Sequence, residues 1–458
     1  MISALRVVAI LLLGSSTAFA ADQPVRTGAQ AFGDWKGDAP GVRRHIRVQD
    51  LPEPYATGAA ASRAELKPIP QGSGPKLPAG FKAEKLADKL STPRVIRVAP
   101  DGTIFVAESG PRRGVGNVGT IRALRLKPEG GVESAVFASG LKLPYGIAFW
   151  PLGPNPQYVY VGETDRIVRY PYKPGTLTAA GMAEVIVPKL GSGDRGHWTR
   201  DLAFSSDGKT LYIAVGSGTN IADGMPAEPP GGLESWKKSH ALGATWSSEE
   251  QRANVLSADP DGKNLRVFAT GLRNCAGMTV QPTTGNLWCV VNERDGLGDN
   301  LPPDYATHVQ AGAFYGWPWY YIGTHEEPSL EGKRRDLADH VTVPDVLIQP
   351  HSAPLNIVFY EGSQFPAEYK GNAFVALHGS WNRDQRTGYK LVRLLMKDGK
   401  ATGEYEDFLT GFVDQQGNVL GRPVGLAVAA DGSLLFSEDG NNSLWRISYS
   451  GTGQRAAQ

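Results

Sequence analysis

The sequence places basic and amide side chains directly before apolar runs. Arg273 and Asn274 precede the run that begins at Cys275, His197 lies shortly before a second run, and Arg422 precedes a third. Guanidinium groups around a cavity suit a ligand with several carboxylates or phosphates, because they bind such groups bidentately. A nearby histidine suits general base catalysis, because its pKa lies near neutrality. These residues predict an anion-binding site with a base, provided that the fold brings them together.

The elements that would position these residues form a repeat. An apolar strand, a turn around glycine and a second strand that ends in polar residues recur six times, starting at Pro93, Pro144, Arg200, Ala276, Leu355 and Val424. Further strand-like runs follow most copies, which makes about four short strands per repeat. Six such units predict an all-β chain folded as a six-bladed β-propeller. A pair of β-sandwiches is the alternative, which six separate copies disfavour.

The ends of the repeat region predict how the ring closes. The last copy stops after three strands, and the run "GFKAEKLA" from Gly80 has no partner in sequence. We expect that run to complete the last blade, which would leave few exposed strand edges. The predicted propeller covers residues 80–449, with a tail at 450–458 and an extended N-terminal segment at 21–79 that wraps the outside. Two loop insertions are expected, at about Thr219–Arg252 in blade 3 and about Leu297–His340 in blade 4.

One mouth of the predicted ring collects the polar residues. The first and second strands of a blade are antiparallel, so residues before the first and after the second lie at the same mouth. Those positions hold His197, Arg200, Arg273, Asn274, His351, Ser352 and Arg422 before first strands, and Glu108, Glu163, Ser217, Glu293, Arg294, Asp295, His378 and Glu438 after second strands. The other mouth receives turn residues. Convergent polar groups predict that the first mouth is the functional site.

Composition and the N-terminus narrow the class of protein. The formal net charge is +1, which gives no support for a nucleic-acid partner. Residues 1–20 have the charge, apolar core and small-residue end of a cleaved secretory signal, and no later run has the length of a membrane-spanning helix. The sequence therefore predicts a periplasmic or secreted protein. The two cysteines, Cys275 and Cys289, flank a predicted hairpin, and they form either a disulfide or two free thiols.

Several motifs, taken in order, resemble the sorbosone dehydrogenase family of pyrroloquinoline-quinone (PQQ) propellers. The motifs are "GLRN" from Gly271, "NERDGLGDN" from Asn292, "YGWP" from Tyr315, "HGSWNR" from His378 and "GRPVGLAV" from Gly421. The family is related to soluble quinoprotein glucose dehydrogenase and aldose sugar dehydrogenase. The resemblance covers most of the chain from about Gly80 to Tyr449.

The resemblance implies roles for individual residues. His197 matches the catalytic base, Arg273 and Asn274 match a pair that contacts PQQ, and Arg422 matches an arginine that binds a cofactor carboxylate. In the turn after Glu293, the positions of Asp295 and Gly296 match backbone carbonyls that bind Ca²⁺, and Arg294 would lie beside the cofactor. The set is completed by two residues that differ from the glucose enzyme, His378 in place of a lysine and His351 in place of a small hydroxyl residue. Val424 stands where that enzyme has a second arginine.

The implied activity is a PQQ- and Ca²⁺-dependent oxidation of an aldose-like sugar or another polyhydroxylated aldehyde. Electrons would pass to an external acceptor, a separate redox protein or a quinone, because the chain has no CxxCH haem motif. Two other functions stay open from the residues. One is a Ca²⁺-dependent lactonase whose metal is held by side chains such as Glu108, Glu163, Glu293 and Glu438. The other is a non-catalytic binding propeller.

Overall fold

The computed structural model describes residues 24–70, 74–110, 118–127, 130–191 and 196–451. The predicted signal segment 1–20 and most of the predicted tail lie outside these residues. Two strands precede the blades: β1 (Arg43–Arg44) and β2 (Phe81–Ala87). In this part of the chain, no helix is long and apolar enough to cross a membrane.

Six four-stranded antiparallel units follow one another and confirm the predicted propeller. Blades 1 to 3 contain β3 (Pro93–Val98), β4 (Ile104–Glu108), β5 (Val118–Leu126), β6 (Val132–Lys142); β7 (Ile147–Trp150), β8 (Tyr158–Gly162), β9 (Ile167–Pro171), β10 (Glu184–Val187); and β11 (Leu202–Phe204), β12 (Leu211–Val215), β13 (Asn254–Ala258), β14 (Arg266–Thr270).

The remaining blades have the same plan, apart from a small extra hairpin in blade 4. Blade 4 contains β15 (Cys275–Val280), β16 (Leu287–Val291), β17 (Asp304–His308) and β20 (Val346–Ile348), and its hairpin pairs β18 (Tyr320–Tyr321) with β19 (His325–Glu326). Blades 5 and 6 contain β21 (Pro354–Phe359), β22 (Ala373–Leu377), β23 (Lys390–Lys397), β24 (Lys400–Leu409); and β25 (Pro423–Val428), β26 (Leu434–Glu438), β27 (Ser443–Tyr449).

Helices are few and short in the described residues. One α-helix, α1, covers Leu233–Ser239. The 3₁₀ segments are Gly28–Phe32, Trp35–Gly37, Val48–Asp50, Ser247–Glu249, Pro328–Leu330, Arg335–His340 and Ala367–Tyr369.

The second strand of each blade supplies much of the core. Every residue of β4, β16, β22 and β26 is buried. These strands lack the alternation of a half-exposed sheet, because both faces of each blade pack against neighbouring blades. Their sequences are rich in branched and aromatic residues, such as "AFVAL" in β22. This packing holds the strand ends in fixed positions around the channel.

The strand from Phe81 closes the ring as predicted. β2 pairs antiparallel with β27, with Phe81 opposite Tyr449, and supplies the fourth strand of blade 6. The ring of Phe81 lies 4.8 Å from that of Phe365 and 5.1 Å from that of Phe408. The first and last parts of the described propeller are thus joined by hydrogen bonds and by aromatic packing.

The segment before the propeller is attached to blade 5. β1 pairs with β24 and extends that sheet to five strands. Fully buried Arg44 donates to Asp407 at 2.8 Å and to Asp38 at 2.6 Å, and Lys390 lies 2.8 Å from the Asp407 carboxylate. This buried charge cluster fixes the segment to the blade, because removing one partner would leave another charge unpaired.

Two insertions interrupt the blades, and the second differs from the prediction. The first occupies residues 216–253 between β12 and β13, close to the expected position. The second occupies residues 309–345 between β17 and β20, so the expected start at Leu297 was wrong. Residues 304–308, "DYATH", form the third strand of blade 4, where Tyr305 and Ala306 are buried and pair with β16 and β20.

The two insertions pack against each other. Their shared apolar cluster contains Trp236, Trp246, Phe314, Trp319, Tyr320 and Leu337. The aromatic stretch from Tyr315 to Tyr321 is buried throughout. These rings therefore pack within the protein and do not form an open surface for stacking a substrate.

Candidate functional site

His197 has one ring nitrogen committed to the protein. Its Nδ1 lies 3.1 Å from the carbonyl oxygen of Ser217 and 3.0 Å from the Ser217 hydroxyl, which itself donates to the carbonyl of Thr219. Because a carbonyl only accepts, Nδ1 carries the proton and Nε2 presents a lone pair. Burial lowers the pKa of His197 to about 3, and the Arg273 guanidinium contributes to that decrease. The residue is therefore neutral at pH 7 and able to accept a proton at Nε2.

Gly216 allows His197 and Asn274 to approach the same point. A Cβ at Gly216 would lie 2.6 Å from His197 Cβ and 2.4 Å from Asn274 Oδ1, which is too close for either. The Asn274 amide donates to Asn292 Oδ1 at 3.2 Å and accepts from Thr199 at 3.3 Å. The end of β12 is therefore packed against the start of β15 without an intervening side chain.

Arg273 is buried and already well bonded. Its Nη1 donates to the carbonyls of Asn292 and Glu293 at 3.3 and 2.7 Å. Its Nε and Nη2 donate to Asn220 at 3.0 and 2.9 Å, and Nη2 lies 3.8 Å from the Asp295 carboxylate. Most of the donor capacity of this arginine is thus spent on holding the polar turn after β16, and one N–H lies outside these hydrogen bonds.

The turn after β16 brings Asp295 between two basic side chains. Asp295 Oδ1 lies 3.6 Å from His351 Nδ1, and His351 Nε2 lies 3.0 Å from the carbonyl of Gly298, to which it donates. Burial acts to raise the pKa of Asp295, but His351 and Arg273 outweigh it, so the pKa lies below its ordinary value. The carboxylate is ionised at neutral pH and faces the same mouth as Arg273.

Asn382 and the N-terminal segment together hold the turn at Gly296. The Gly296 amide donates to Asn382 Oδ1 at 2.8 Å, and Asn382 Nδ2 donates to the carbonyl of Ala60 at 2.7 Å. Tyr55 N donates to the carbonyl of Leu297 at 2.8 Å. Gly296 has a φ of 96°, a conformation that favours glycine. Chain from outside the blades therefore fixes the turn that holds the predicted calcium ligands.

Arg294 has unused donors in a buried setting. The residue is 7% exposed, and its Nε and Nη1 have no hydrogen-bond partner among the described residues. Nε lies 3.5 Å from Oε2 of Glu327, a buried acid in the second insertion. A buried guanidinium donor without a hydrogen bond is costly, so an acceptor group from a ligand beside these two atoms would stabilise them.

His378 and Arg422 form a second basic pair. Arg422 Nη2 donates to His378 Nδ1 at 3.0 Å, and His378 Nε2 donates to Asp439 at 2.8 Å. Burial lowers the pKa of His378 to about 3, with a further decrease from Arg422, so this histidine is neutral. Asp439 also pairs with Arg94, whose guanidinium lies 5.4 Å from the ring of Trp198, the residue after His197.

The glutamates at the ends of the second strands have structural work. Glu108 accepts from Ser91 N at 2.9 Å, Glu163 from Lys142 N at 2.6 Å and Glu438 from Arg422 N at 2.8 Å. Each one fixes the loop before a first strand. In the described residues, no group of three or more His, Cys, Asp or Glu side chains is arranged to hold a metal. Three of the four glutamates proposed as lactonase metal ligands thus accept hydrogen bonds from main-chain N–H groups.

Glu293 differs from the other three glutamates. Its carboxylate is buried and accepts from Arg294 N at 3.2 Å, and burial raises its pKa to about 7. Its neighbour Asp304, which accepts from Glu293 N at 2.9 Å, has a pKa raised by burial to about 6.

The opposite mouth of the ring holds a cavity whose lining is mainly apolar and also includes Arg97, Thr279 and Glu361. This cavity of about 460 Å³ is lined mainly by the far ends of first strands, with Val98, Phe359 and Val428 among its residues. Arg97 reaches this cavity but is paired with buried Asp201 at 3.0 Å. The polar groups described above therefore distinguish one mouth from the other.

The structure places the predicted site residues in two groups. In the first group, Asp295 contacts both Arg273 and His351. Asn274, Arg294 and Gly296 are next in sequence to members of this group, and His197 approaches Asn274 at Gly216. His378 and Arg422 form the other group. Sequence reasoning missed Asn220, Glu327, Asn382 and Asp439, which bond to predicted residues. Asp439 follows a second strand directly and Asn382 lies within the quoted "HGSWNR" motif, so both could have been found, whereas Asn220 and Glu327 lie in the insertions.

Solved structures of other proteins have a similar fold. The PQQ domain of pyranose dehydrogenase from Coprinopsis cinerea, in its holo form, aligns with a TM-score of 0.64 at 24% identity over 83% of this chain and 98% of that one. The calcium structure of the Trichoderma reesei family AA12 enzyme aligns with a TM-score of 0.65 at 20% identity, over 84% of this chain and 98% of that one. These solved structures therefore share the six-bladed fold of this chain.

The sequence comparison identifies the family. The TrAA12-like family matches residues 75–310 and 326–450, and the chain belongs to it. The PQQ-dependent pyranose dehydrogenase of Coprinopsis cinerea is 26% identical over 78% of this chain, which spans 52% of the length of that protein. The PQQ-dependent sugar dehydrogenase of Hypocrea jecorina is 24% identical over 81% of this chain and 88% of its own length. An uncharacterized protein of Borreliella burgdorferi is 27% identical over 82% of this chain and 90% of its own length.

Proposed function

We propose that this protein is a PQQ- and Ca²⁺-dependent dehydrogenase of an aldose-like sugar or another polyhydroxylated aldehyde. The observation that carries the proposal is that one mouth holds both a base and arginine N–H donors that have no hydrogen-bond partner. His197 presents Nε2 as an acceptor, and Arg294 holds two buried donors without a hydrogen bond. The relatives named as PQQ-dependent sugar dehydrogenases support the same conclusion.

The basic residues fit the proposed cofactor. PQQ carries three carboxylates, and the mouth offers Arg294, Arg422 and one remaining N–H of Arg273 as donors to such groups. Asn274, His351 and His378 complete the proposed contacts. When bound, PQQ would supply an electrophilic quinone that accepts a hydride, and Ca²⁺ would polarise it.

In this proposal His197 is the general base. It receives the proton of the substrate hydroxyl at Nε2, while Ser217 holds the opposite nitrogen and keeps the ring in one tautomer. The low pKa favours the neutral form that catalysis needs. The same low pKa makes the imidazole a weaker proton acceptor, so the substrate hydroxyl must be acidified by its surroundings in the loaded site.

The proposed calcium site is the turn at Asp295 and Gly296. Backbone carbonyls and an ionised carboxylate are hard oxygen donors of the type that Ca²⁺ prefers. The Asp295 carbonyl accepts a hydrogen bond from Asn220 at 2.9 Å, which leaves one of its lone pairs for a cation.

We further propose that the protein is exported through the signal at residues 1–20, and that a separate redox protein or quinone takes up the electrons.

A reconstitution assay tests the proposal. Purified protein is incubated with PQQ and Ca²⁺, and the reduction of an artificial electron acceptor is followed with a panel of aldoses, pyranoses and sorbosone. We expect activity that requires both additions, and activity with sorbosone would extend the motif resemblance to substrate choice. Absence of reduction with every substrate, despite bound PQQ, would favour the non-catalytic propeller. Hydrolysis of aldonolactones without PQQ would favour the lactonase.

A further inference from the structure

Asn220 connects the two insertions to the polar turn. It lies in the first insertion, five residues after the end of β12. Its main-chain carbonyl accepts from Arg273 Nε at 3.0 Å and from Trp317 Nε1, in the second insertion, at 3.0 Å. A single peptide group therefore joins both insertions to the arginine that precedes β15.

The Asn220 side chain makes three more hydrogen bonds. Oδ1 accepts from Arg273 Nη2 and from Asp295 N, both at 2.9 Å, and Nδ2 donates to the carbonyl of Asp295 at 2.9 Å. The orientation of the amide is unambiguous, because Oδ1 faces two donors and Nδ2 faces an acceptor. Both polar groups of Asp295's main chain are thus held by one side chain.

These five hydrogen bonds hold two parts of the proposed site, the Arg273 guanidinium and the Asp295 main chain. The Arg273 fork is clamped on one edge by Asn220 and on the other by the carbonyls of Asn292 and Glu293. The Asp295 main chain is clamped through both its N–H and its carbonyl. Neither group can rotate without breaking bonds to Asn220.

We propose that Asn220 is the positioning residue that orients Arg273 and the Asp295 turn toward PQQ and Ca²⁺. The proposal rests on the proposed function and adds to it a residue of the insertion. It predicts that cofactor affinity depends on the insertions, because Asn220 and Trp317 transmit their packing to the site. Supporting residues of this kind typically change ligand affinity by about 10- to 100-fold when they are altered.

Asparagine is the side chain that this geometry requires. Aspartate has the same shape and would keep both interactions of Oδ1, but it has no donor for the Asp295 carbonyl. It would place a carboxylate oxygen against that carbonyl. Asn220→Asp therefore tests the one bond that orients the proposed calcium ligand, with little change in volume.

The experiment compares wild type, Asn220→Asp and Asn220→Ala with Asn264→Asp as the matched control. Asn264 lies in the turn between β13 and β14, where its Nδ2 donates to Asp259 at 2.7 Å. Two readouts are measured: the dissociation constant of PQQ as a function of Ca²⁺ concentration, and the hydrogen exchange of residues 292–299 in the protein without cofactor.

We expect both Asn220 variants to exchange faster at residues 292–299 than wild type. We also expect them to bind PQQ about 10- to 100-fold more weakly and to need more Ca²⁺. Asn264→Asp should match wild type in both readouts. Unchanged exchange would overturn the clamp, and faster exchange with unchanged PQQ and Ca²⁺ affinity would reduce Asn220 to a structural role.

A wild-type protein that fails to bind PQQ would sink the proposed function and, with it, the orientation toward the cofactor. In that case the exchange data still decide whether the clamp exists. The two failures are therefore distinguishable.

Discussion

At the scale of single residues, the proposed chemistry depends on which ring nitrogen of His197 is free. Ser217 takes Nδ1, and Arg200 and Arg252 both donate to the His197 carbonyl at 2.9 Å. The backbone and one edge of the ring are therefore fixed, and Nε2 is left for a substrate. The sequence could suggest the histidine from its place before β11, but the tautomer depends on the contact with Ser217, which lies after β12 of the same blade, and no spacing pattern predicts that contact.

Replacing His197 tests its role as a base. In His197→Ala we expect turnover of the reconstituted enzyme to fall by about 10²- to 10⁴-fold, the usual contribution of general base catalysis. PQQ affinity should change little, because the basic side chains remain. Steady-state kinetics and a PQQ titration measure the two effects. His240→Ala, in a histidine that stacks on Trp236, is the control, and turnover that survives in His197→Ala would refute the assignment.

The protonation of the histidines can be followed directly by NMR. The pKa values of His197 and His378 are lowered to about 3, whereas the hydrogen bond to Asp345 raises the pKa of His308 above its ordinary value. Between pH 5 and 8, His197 and His378 should stay neutral and show constant shifts, while His308 should titrate at a higher pH than an unperturbed histidine. Signals are assigned from single His→Gln variants. Titration of His197 near pH 6.5 would contradict the described environment.

At the scale of elements, the strand pairs and the first insertion were predictable, and the start of the second insertion was not. Two apolar runs on either side of an Asp-Gly turn define β3–β4 and β25–β26 from local sequence alone. The third strand of blade 4, β17, was absorbed into the predicted insertion because its short "DYATH" run follows a polar Gly-rich turn. Asn220 was missed because contacts between an insertion and a blade leave no spacing pattern.

The Cys275–Cys289 disulfide, left open by the sequence, joins β15 to β16 with 5.8 Å between the two Cα atoms.

The junction of β12 and β15 gives a prediction at this scale. Gly216→Ala would push a Cβ into His197 and Asn274, so we expect kcat/KM to fall by about 100-fold from displacement of the base. Gly58→Ala is the matched control, because a Cβ there has no neighbour within 4 Å. Circular dichroism should show folded protein in both variants. Wild-type kinetics in Gly216→Ala would mean that this contact does not position His197.

At the scale of the whole molecule, stability depends on the closure of the ring. β2 comes from the N-terminal side of the propeller and completes the sheet formed by the last three strands, so one strand pairing joins the two ends of the propeller. The sequence predicted this closure because an unpartnered strand and an incomplete blade stood at opposite ends of the repeats. It did not predict the buried Arg44–Asp407 pair, because that contact joins residues far apart in sequence.

Phe81 is the side chain to test for closure. Its ring packs against Phe365, Tyr369 and Phe408, so Phe81→Ala should lower the free energy of unfolding by about 3 kcal/mol. Lys82→Ala, an exposed position on the same strand, should change it by less than about 0.5 kcal/mol. Chemical denaturation measures both. Equal stabilities of the two variants would show that closure does not depend on this aromatic contact.

The proposed function depends on the binding of PQQ at one mouth of the propeller. An equilibrium titration of PQQ into the purified protein with Ca²⁺, in wild type and Arg294→Lys, tests it most directly. Lysine keeps the charge beside Glu327 but loses the planar fork. We predict saturable binding of one PQQ per chain, weakened about tenfold in Arg294→Lys. The absence of saturable binding at micromolar PQQ in the wild-type protein would contradict the account.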